Sequence, residues 1–194
     1  MKLSKLTLQH SDWLKNNAAG SQIDLTGVSL EEEQIRSAEL ESALYERVTF
    51  EGLEFFSCNF TGASFFDCKF LSCRFTDCSF HKAEFHNCTF ERAVFSECSF
   101  TKTEWYRGDL REASFTNCDF KWSYLNAVDL RGGQLIGIKL EGALWFNTKI
   151  HGARLDGVDF GNLHPADIQA TDISPGGDGT ALVESPEFRK MFSA

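Results

Sequence analysis

The sequence predicts an all-β fold, a four-sided β-helix in which short strands and turns wind around a narrow apolar core. Three observations predict it. An apolar residue stands at every fifth position through 28 successive pentads, a small residue stands two places before most of them, and similar residues recur 20 apart. A period of five belongs neither to an α-helix, with about 3.6 residues per turn, nor to a strand, which alternates every two. The chain is therefore a repeat protein.

The apolar centre of each pentad has a residue number divisible by five, from Leu25 to Phe160. Eleven consecutive phenylalanines occupy the centres from Phe50 to Phe100. All seven cysteines stand two places before a centre, at Cys58, Cys68, Cys73, Cys78, Cys88, Cys98 and Cys118. We expect one large and one small side chain per pentad to point inward, with the thiols acting as small apolar groups.

The spacing of similar residues distinguishes a coil of three sides from a coil of four. Three sides would stack residues 15 apart, which sets Cys68 under Ala83. Four sides stack residues 20 apart, which places Cys58, Cys78 and Cys98 in one column. Four sides fit better, and seven coils at the usual strand spacing of about 4.8 Å predict a rod roughly 34 Å long.

Both ends of the chain depart from the repeat, as a stacked fold requires if its open apolar ends are to be covered. Ser11 is a candidate helix cap and Trp13 offers an apolar side chain, which predicts an N-terminal cap over residues 1–20. The β-helix is expected over residues 21–174. Residues 175–194 are predicted to form a linker and a helical tail. One face of that tail would carry Phe188, Met191 and Phe192.

Composition and motifs exclude several function classes. The formal charge of −9 disfavours direct nucleic-acid binding, which needs clustered lysine and arginine. No apolar run suits a signal peptide or a membrane span, so we expect a cytoplasmic protein with reduced cysteines and no membrane contact. The cysteine spacings do not suit zinc, and the five histidines form no catalytic or metal-binding motif. We therefore expect no enzyme activity, no cofactor and no metal.

The pentad pattern A/C-x-L/F-x-x, as in Ala63-Ser64-Phe65-Phe66-Asp67, resembles the pentapeptide-repeat family over about residues 21 to 174. The resemblance implies a right-handed, four-sided β-helix, and it implies little about function because the family hosts many roles. In several pentapeptide-repeat proteins that protect topoisomerases, C-terminal segments pair two rods end to end. This implies a homodimer through Phe188, Met191 and Phe192, the alternative being a tail folded over the last coil.

Two outer surfaces are candidate partner sites. One side of the rod gathers an aromatic face, with Phe66, Tyr106, Tyr124 and Phe146. The first two coils form an acidic end, with Glu31, Glu32, Glu39, Glu41, Glu51 and Glu54. The simplest alternatives are side chains that lean over neighbouring turns and a merely solvated charged end.

Two functions of different classes are compatible with these surfaces. In the first, the chain resembles the gyrase-protecting and toxin-immunity members of the family, and its acidic rod imitates DNA at a type II topoisomerase such as DNA gyrase. In the second, it is an interaction scaffold or adaptor that docks a protein on the aromatic face. Both make it a non-enzymatic protein-binding rod.

Overall fold

A computed structural model of the protein describes residues 2–16, 18–31, 33–150 and 152–161. In these ranges one α-helix precedes a parallel β-solenoid of about seven coils. The helix, α1, spans Ser4–Lys15. The strands are, in chain order, β1 (Asp24–Thr26), β2 (Ser29–Leu30), β3 (Gln34–Arg36), β4 (Leu44–Glu46), β5 (Thr49–Glu51), β6 (Glu54–Phe56), β7 (Ser64–Phe66), β8 (Lys69–Leu71), β9 (Arg74–Thr76), β10 (Glu84–His86), β11 (Val94–Ser96), β12 (Glu104–Tyr106), β13 (Ser114–Thr116), β14 (Tyr124–Asn126), β15 (Gln134–Ile136), β16 (Leu144–Phe146) and β17 (Arg154–Asp156).

The strands form the four predicted sides, and the predicted spacing of 20 residues is confirmed on each. Side 1 is the parallel sheet β1-β4-β7-β10-β12-β14-β16, and side 3 is the parallel sheet β3-β6-β9-β11-β13-β15-β17. Side 2 begins as β2-β5-β8 and continues through single bridges as far as Lys149. Side 4 consists of bridges alone, from Glu39 to Asp159.

The core is a set of aromatic columns that run along the rod. Phe80 is 1% exposed and stacks between Phe60 and Phe100, with ring centroids 4.8 and 4.9 Å away. Its edge meets Phe75, on the neighbouring side, at 5.5 Å and 70°. Offset stacking along a column and edge contacts between columns are both favourable arrangements of aromatic rings. The phenylalanine centres therefore hold coil to coil and side to side at once.

The cysteines occupy the small inward positions, as predicted. All seven are buried and unpaired as disulfides. Each Sγ–H is placed to donate to the backbone carbonyl of the centre 23 residues earlier, as from Cys88 to Phe65 at 3.4 Å. Burial raises the pKa of the Cys73 thiol to about 12, which keeps it protonated and unreactive at neutral pH.

The N-terminal helix begins seven residues before the predicted cap, so Ser11 lies inside α1 and does not begin it. Two buried residues, Leu3 and His10, attach the helix to the solenoid. The His10 Nε2–H donates to the Glu41 carbonyl at 2.9 Å, while Nδ1 accepts the Ile23 N–H at 2.9 Å. Contacts with the first two coils therefore position this helix, and a capping pattern read along the sequence could not show them.

The stacked core makes Phe80→Ala costly. The substitution should leave a cavity between two coils and lower the free energy of unfolding by about 3–5 kcal/mol. Phe66→Ala is the matched control, because Phe66 is 38% exposed and should cost about 1 kcal/mol. Urea unfolding monitored by circular dichroism measures both, and equal losses would contradict the assignment of inside and outside.

The docking of α1 should depend on pH through His10. Burial lowers the pKa of His10 below its ordinary value of 6.5, and this effect outweighs the opposing one of the hydrogen bond to the Glu41 carbonyl. The undocked ring takes up a proton near 6.5. Docking is therefore fully stable above this pH and weakens as the pH falls from 6.5 through the lower folded pKa.

Hydrogen exchange of the α1 amides at pH 7.5 and at pH 5 measures this dependence, after correction for the intrinsic exchange rates. The control is His10→Leu, which has no titrating ring and should dock more weakly at pH 7.5. An identical pH dependence in the wild type and in His10→Leu would assign the effect to another group.

Candidate interaction face

The predicted aromatic face is a continuous ladder on side 1. Phe66, His86 and Tyr106 each follow a buried centre on β7, β10 and β12, and the parallel register aligns them. Phe66 stacks on His86 and His86 on Tyr106, with centroids 4.8 Å apart in both pairs. The 20-residue register alone brings these three rings together.

The ladder continues through a ring from a neighbouring position. Asn126 takes the next place in the column, and Tyr124, from the same strand, fills the gap. The Tyr124 ring lies 5.6 Å from Tyr106 and 5.5 Å from Phe146, tilted by 51° and 45°. The structure therefore joins all four predicted residues, with His86, into one unbroken row of five rings. We call this row with Leu144 the aromatic face.

The ladder presents ring edges and an aliphatic side chain to solvent. Phe66, Leu144 and Phe146 are 38, 48 and 36% exposed. Phe66, His86 and Tyr106 are stacked face to face, so the edges of these rings point outward. Single exposed apolar residues are ordinary, but a contiguous row across five coils is typical of a binding surface.

Two carboxylates lie beside the rings, and one of them is hydrogen-bonded to a ring hydroxyl. The Tyr106 hydroxyl donates to Glu104 at 2.9 Å, and this hydrogen bond raises the pKa of Tyr106. The Glu84 carboxylate lies 3.6 Å from Nε2 of His86. The rings are therefore pre-oriented, which lowers the entropy that a partner would lose by ordering them.

A shallow depression opens beside the ladder where Asn126 replaces a ring. Its volume is about 330 Å³, and it is lined by His86, Tyr106, Arg107, Asn126 and Ala127. The Arg107 guanidinium is held by its Nε, which donates to the Asn87 side chain at 2.8 Å. The depression has room for one side chain of a partner.

The backbone of side 1 is already paired. The Asn87 N–H donates to the Tyr106 carbonyl at 2.8 Å, and the Glu104 N–H to the Ala83 carbonyl at 3.0 Å. A partner that lies across the paired coils from β7 to β14 cannot add a strand there, because strand addition needs a free sheet edge. Recognition here depends on side chains.

The described residues contain neither a candidate metal site nor a candidate membrane-spanning helix. Among them, no group of three or more histidine, cysteine, aspartate or glutamate side chains is arranged to hold a metal ion. In the same part of the chain, no helix combines the length and apolarity that crossing a bilayer demands.

Comparison with known families agrees with this geometry. Residues 48–123 match the model of the pentapeptide repeat region. The chain contains a pentapeptide-repeat region. The same 20-residue pairing extends beyond the match, from β1 to β17. No curated protein sequence matches the chain.

Solved pentapeptide-repeat structures are similar to this chain at low identity. One is Rfr23 from the cyanobacterium Cyanothece 51142, at 11% identity and TM-score 0.45, covering 79% of this chain and 98% of that one. A second is HetL, involved in heterocyst differentiation regulation in Nostoc sp. strain PCC 7120, at 14% and 0.27, covering 92% and 99%. A third is QnrB1, a plasmid-mediated fluoroquinolone resistance protein, at 19% and 0.29, covering 77% and 88%.

The acidic residues of this chain do lie in its first two coils, but on different sides. Side 2 carries Glu31 and Glu51, side 3 carries Glu54, and Glu39 and Glu41 flank Leu40 on side 4. Glu32 lies outside the described residues. The carboxylates therefore form a collar around the rod, and they do not form a stripe along it.

Neighbouring amides already bind part of this collar. Glu39 accepts a hydrogen bond from the Asn59 side chain at 2.8 Å, and Glu54 accepts one from Gln34 at 2.8 Å. The predicted dimer contacts lie beyond the described residues, as does the predicted boundary at residue 174. They stay predictions.

The pentad pattern missed Trp122, the most exposed aromatic ring among the described residues, at 59%. Trp122 lies at the corner between sides 4 and 1, with φ +61°. Lys82 and Lys102 occupy the same corner in the two preceding coils. A left-handed backbone at a bulky residue costs about 1–3 kcal/mol. The sequence does distinguish Trp122, because the second residue after every other pentad centre is small, polar or charged.

The next coil accommodates the Trp122 ring. A Cβ on Gly142, directly over Trp122, would lie 2.4 Å from the indole Cε3. Position 142 therefore requires glycine, because any side chain there would collide with the Trp122 ring. Trp122 lies two residues before Tyr124 in the sequence and is an exposed apolar side chain at this corner.

Proposed function

We propose that this protein is a non-enzymatic protein-binding rod that docks a partner on the aromatic face. The proposal depends on the ladder of five rings from Phe66 to Phe146, which are in contact through five coils. The Tyr106 hydroxyl is hydrogen-bonded to Glu104, and Glu84 lies beside His86. The described residues offer a rigid apolar surface with oriented rings, and large aromatic side chains supply much of the binding energy in protein interfaces.

The partner that fits this face is an amphipathic helix. The ladder rises through four coil spacings of about 4.8 Å, so it is roughly 19 Å long. A helix of about 13 residues, at about 1.5 Å per residue, has the same length and presents a single apolar stripe. It requires no backbone hydrogen bond from the rod. The depression beside Asn126 would receive one of its side chains.

A second candidate function is DNA mimicry at a type II topoisomerase such as DNA gyrase. What favours it is the collar of carboxylates in the first two coils, together with a rod of roughly 34 Å, close to one turn of duplex. A collar can draw the end of the rod to a basic surface by long-range attraction, which salt screens. It would act at the end of the rod, since no stripe of one sign runs along it.

The aromatic-face proposal predicts where a partner can be cross-linked and what weakens its binding. A photo-reactive phenylalanine at position 106 should capture the partner in cells, and one at position 116, on side 3, should not. With the purified partner, the variant Phe66→Ser/Tyr106→Ser/Phe146→Ser should bind about 30-fold more weakly, a loss of about 2 kcal/mol or more.

The matched control removes apolar residues from the outward positions of side 3. Phe56→Ser/Ile136→Ser changes two such side chains, on β6 and β15, and should leave the affinity unchanged. Calorimetry with the three proteins decides the question. Equal affinities for the wild type and the side 1 variant would refute docking on this face.

The topoisomerase candidate is tested with purified DNA gyrase. The wild type should alter supercoiling, with or without a quinolone, and the change of Glu31, Glu32, Glu39, Glu41, Glu51 and Glu54 to glutamine should abolish the effect. The side 1 serine variant should behave as the wild type does. A wild-type protein without any effect on supercoiling, and without binding to gyrase, would exclude this candidate.

A further inference from the structure

The depression beside Asn126 contains polar groups to which the rod itself supplies no partner. It has a volume of about 330 Å³ and lies between the Tyr106 ring and the Arg107 guanidinium. Among the described residues, the terminal nitrogens of Arg107 and the side-chain amide of Asn126 form no hydrogen bond. Their N–H groups can donate to an acceptor that enters the depression.

A chain of hydrogen bonds orients Arg107 at this edge of the aromatic face. Its Nε donates to Oδ1 of Asn87 at 2.8 Å, and Nδ2 of Asn87 donates to Asp67 at 3.0 Å. The three residues lie 20 apart, in one column at the corner between sides 1 and 2. The forked end of the guanidinium is therefore positioned before a ligand binds, which reduces the entropy lost on binding.

Two other arginines of the rod show which group fits such an end. Arg111 donates to both oxygens of the Asp109 carboxylate, at 2.9 and 2.8 Å. Arg131 binds Asp129 in the same way, at 2.9 and 2.6 Å. A guanidinium and a carboxylate match in geometry and in charge. Within the described part of the chain, Arg107 has no carboxylate partner, so the acceptor that suits the depression is a carboxylate from another molecule.

The opposite edge of the ladder has charges of the other sign. Glu84 and Glu104 lie two residues before ladder rings, on the side away from Arg107. Lys82 and Lys102 lie farther out, at the corner with side 4. The two glutamates are therefore the charges nearest to the rings. At the level of the depression, the ladder separates a negative edge from a positive group.

We propose that the partner helix places the carboxylate of an aspartate or glutamate in the depression, where Arg107 and Asn126 bind it, and turns basic side chains toward Glu84 and Glu104. This inference rests on the proposed function and specifies the partner. A phosphate fits less well, because a double negative charge would be repelled by Glu84, Glu104 and Asp67. Complementary charges of this kind determine the orientation of a partner more than its affinity.

The two edges determine the direction of the helix along the rod. Turning a helix end for end on a surface exchanges its left and right edges, while its apolar stripe stays in contact. The rings alone therefore accept both directions. A helix with one acidic and one basic edge makes favourable contacts in one direction and like-charge contacts in the other, so only one direction is stable.

Designed peptides test the carboxylate site. Two stapled helices of about 13 residues share a leucine stripe and differ in one edge, which carries glutamate or glutamine. In calorimetry, the wild type should bind the glutamate peptide about fivefold more tightly. Arg107→Asn should bind both equally, and it should keep the fold because Asn87 and Asn147 occupy the same corner with φ of 54 and 48°. Equal affinities of the wild type for both peptides would overturn the proposal.

Arg92→Asn is the matched control, because it removes the same charge from an equivalent corner on side 2, with φ 62°. It should keep the fivefold preference, and a loss as large as that in Arg107→Asn would assign the effect to net charge and overturn the site. A phosphoserine peptide should bind more weakly than the glutamate peptide. Tighter binding would make this a phosphate site and contradict the proposal.

The variant Phe66→Ser/Tyr106→Ser/Phe146→Ser separates this inference from the proposed function. If the wild type binds both peptides equally and this variant binds both far more weakly, docking on the aromatic face holds and the carboxylate site is wrong. If neither peptide binds the wild type, helical docking and the carboxylate site are both wrong.

Cross-linking measures the direction of the bound helix. Two peptides carry glutamates on one edge and lysines on the other, with the edges exchanged between them, and each has a photo-reactive group at its N-terminus. One should label the rod near Phe66 and the other near Phe146, as identified by mass spectrometry. With Arg107→Asn/Glu84→Gln/Glu104→Gln, each peptide should label both ends. Labelling of the same end of the wild type by both peptides, or of both ends by each, would overturn the proposal.

Discussion

The rest of this structure depends on the parallel pairing of each pentad with the pentad 20 residues further on. Backbone hydrogen bonds between coils place residue i directly under residue i+20. Side chains 20 residues apart therefore stack in one column, and similar residues at that spacing form a continuous row. Stacked phenylalanines inside, thiols that donate to carbonyls of the preceding coil, and the outer aromatic ladder all follow from that one register.

The register also limits how the molecule can function. Because backbone groups pair between the described coils, the flanks of the rod offer side chains, and a partner there must recognise a surface two or three columns wide. The ladder from Phe66 to Phe146 suits that kind of recognition, since its rings pack against one another and Tyr106 is hydrogen-bonded to Glu104. The collar of carboxylates, spread over three sides, is suited to long-range attraction and less to shape-specific contact.

Much of the fold was predictable from residue spacing. The centres, the small inward positions with their cysteines, the four sides and the alignment of Phe66, His86 and Tyr106 all follow from counting, because the solenoid turns by the same angle at each pentad. The start of α1 was not predictable in this way. Its position depends on the fit of His10 between Glu41 and Ile23, and nothing local marks those contacts.

Residue spacing alone specifies the columns, because a periodic fold converts sequence distance into spatial distance. How neighbouring columns interact depends on the folded arrangement of the side chains. Tyr124 crosses from one column to close the gap at Asn126, and the Trp122 ring lies against Gly142, where any other residue would collide. Both contacts depend on side-chain direction and on the space left by the adjacent coil, and neither quantity is encoded in the spacing of residues.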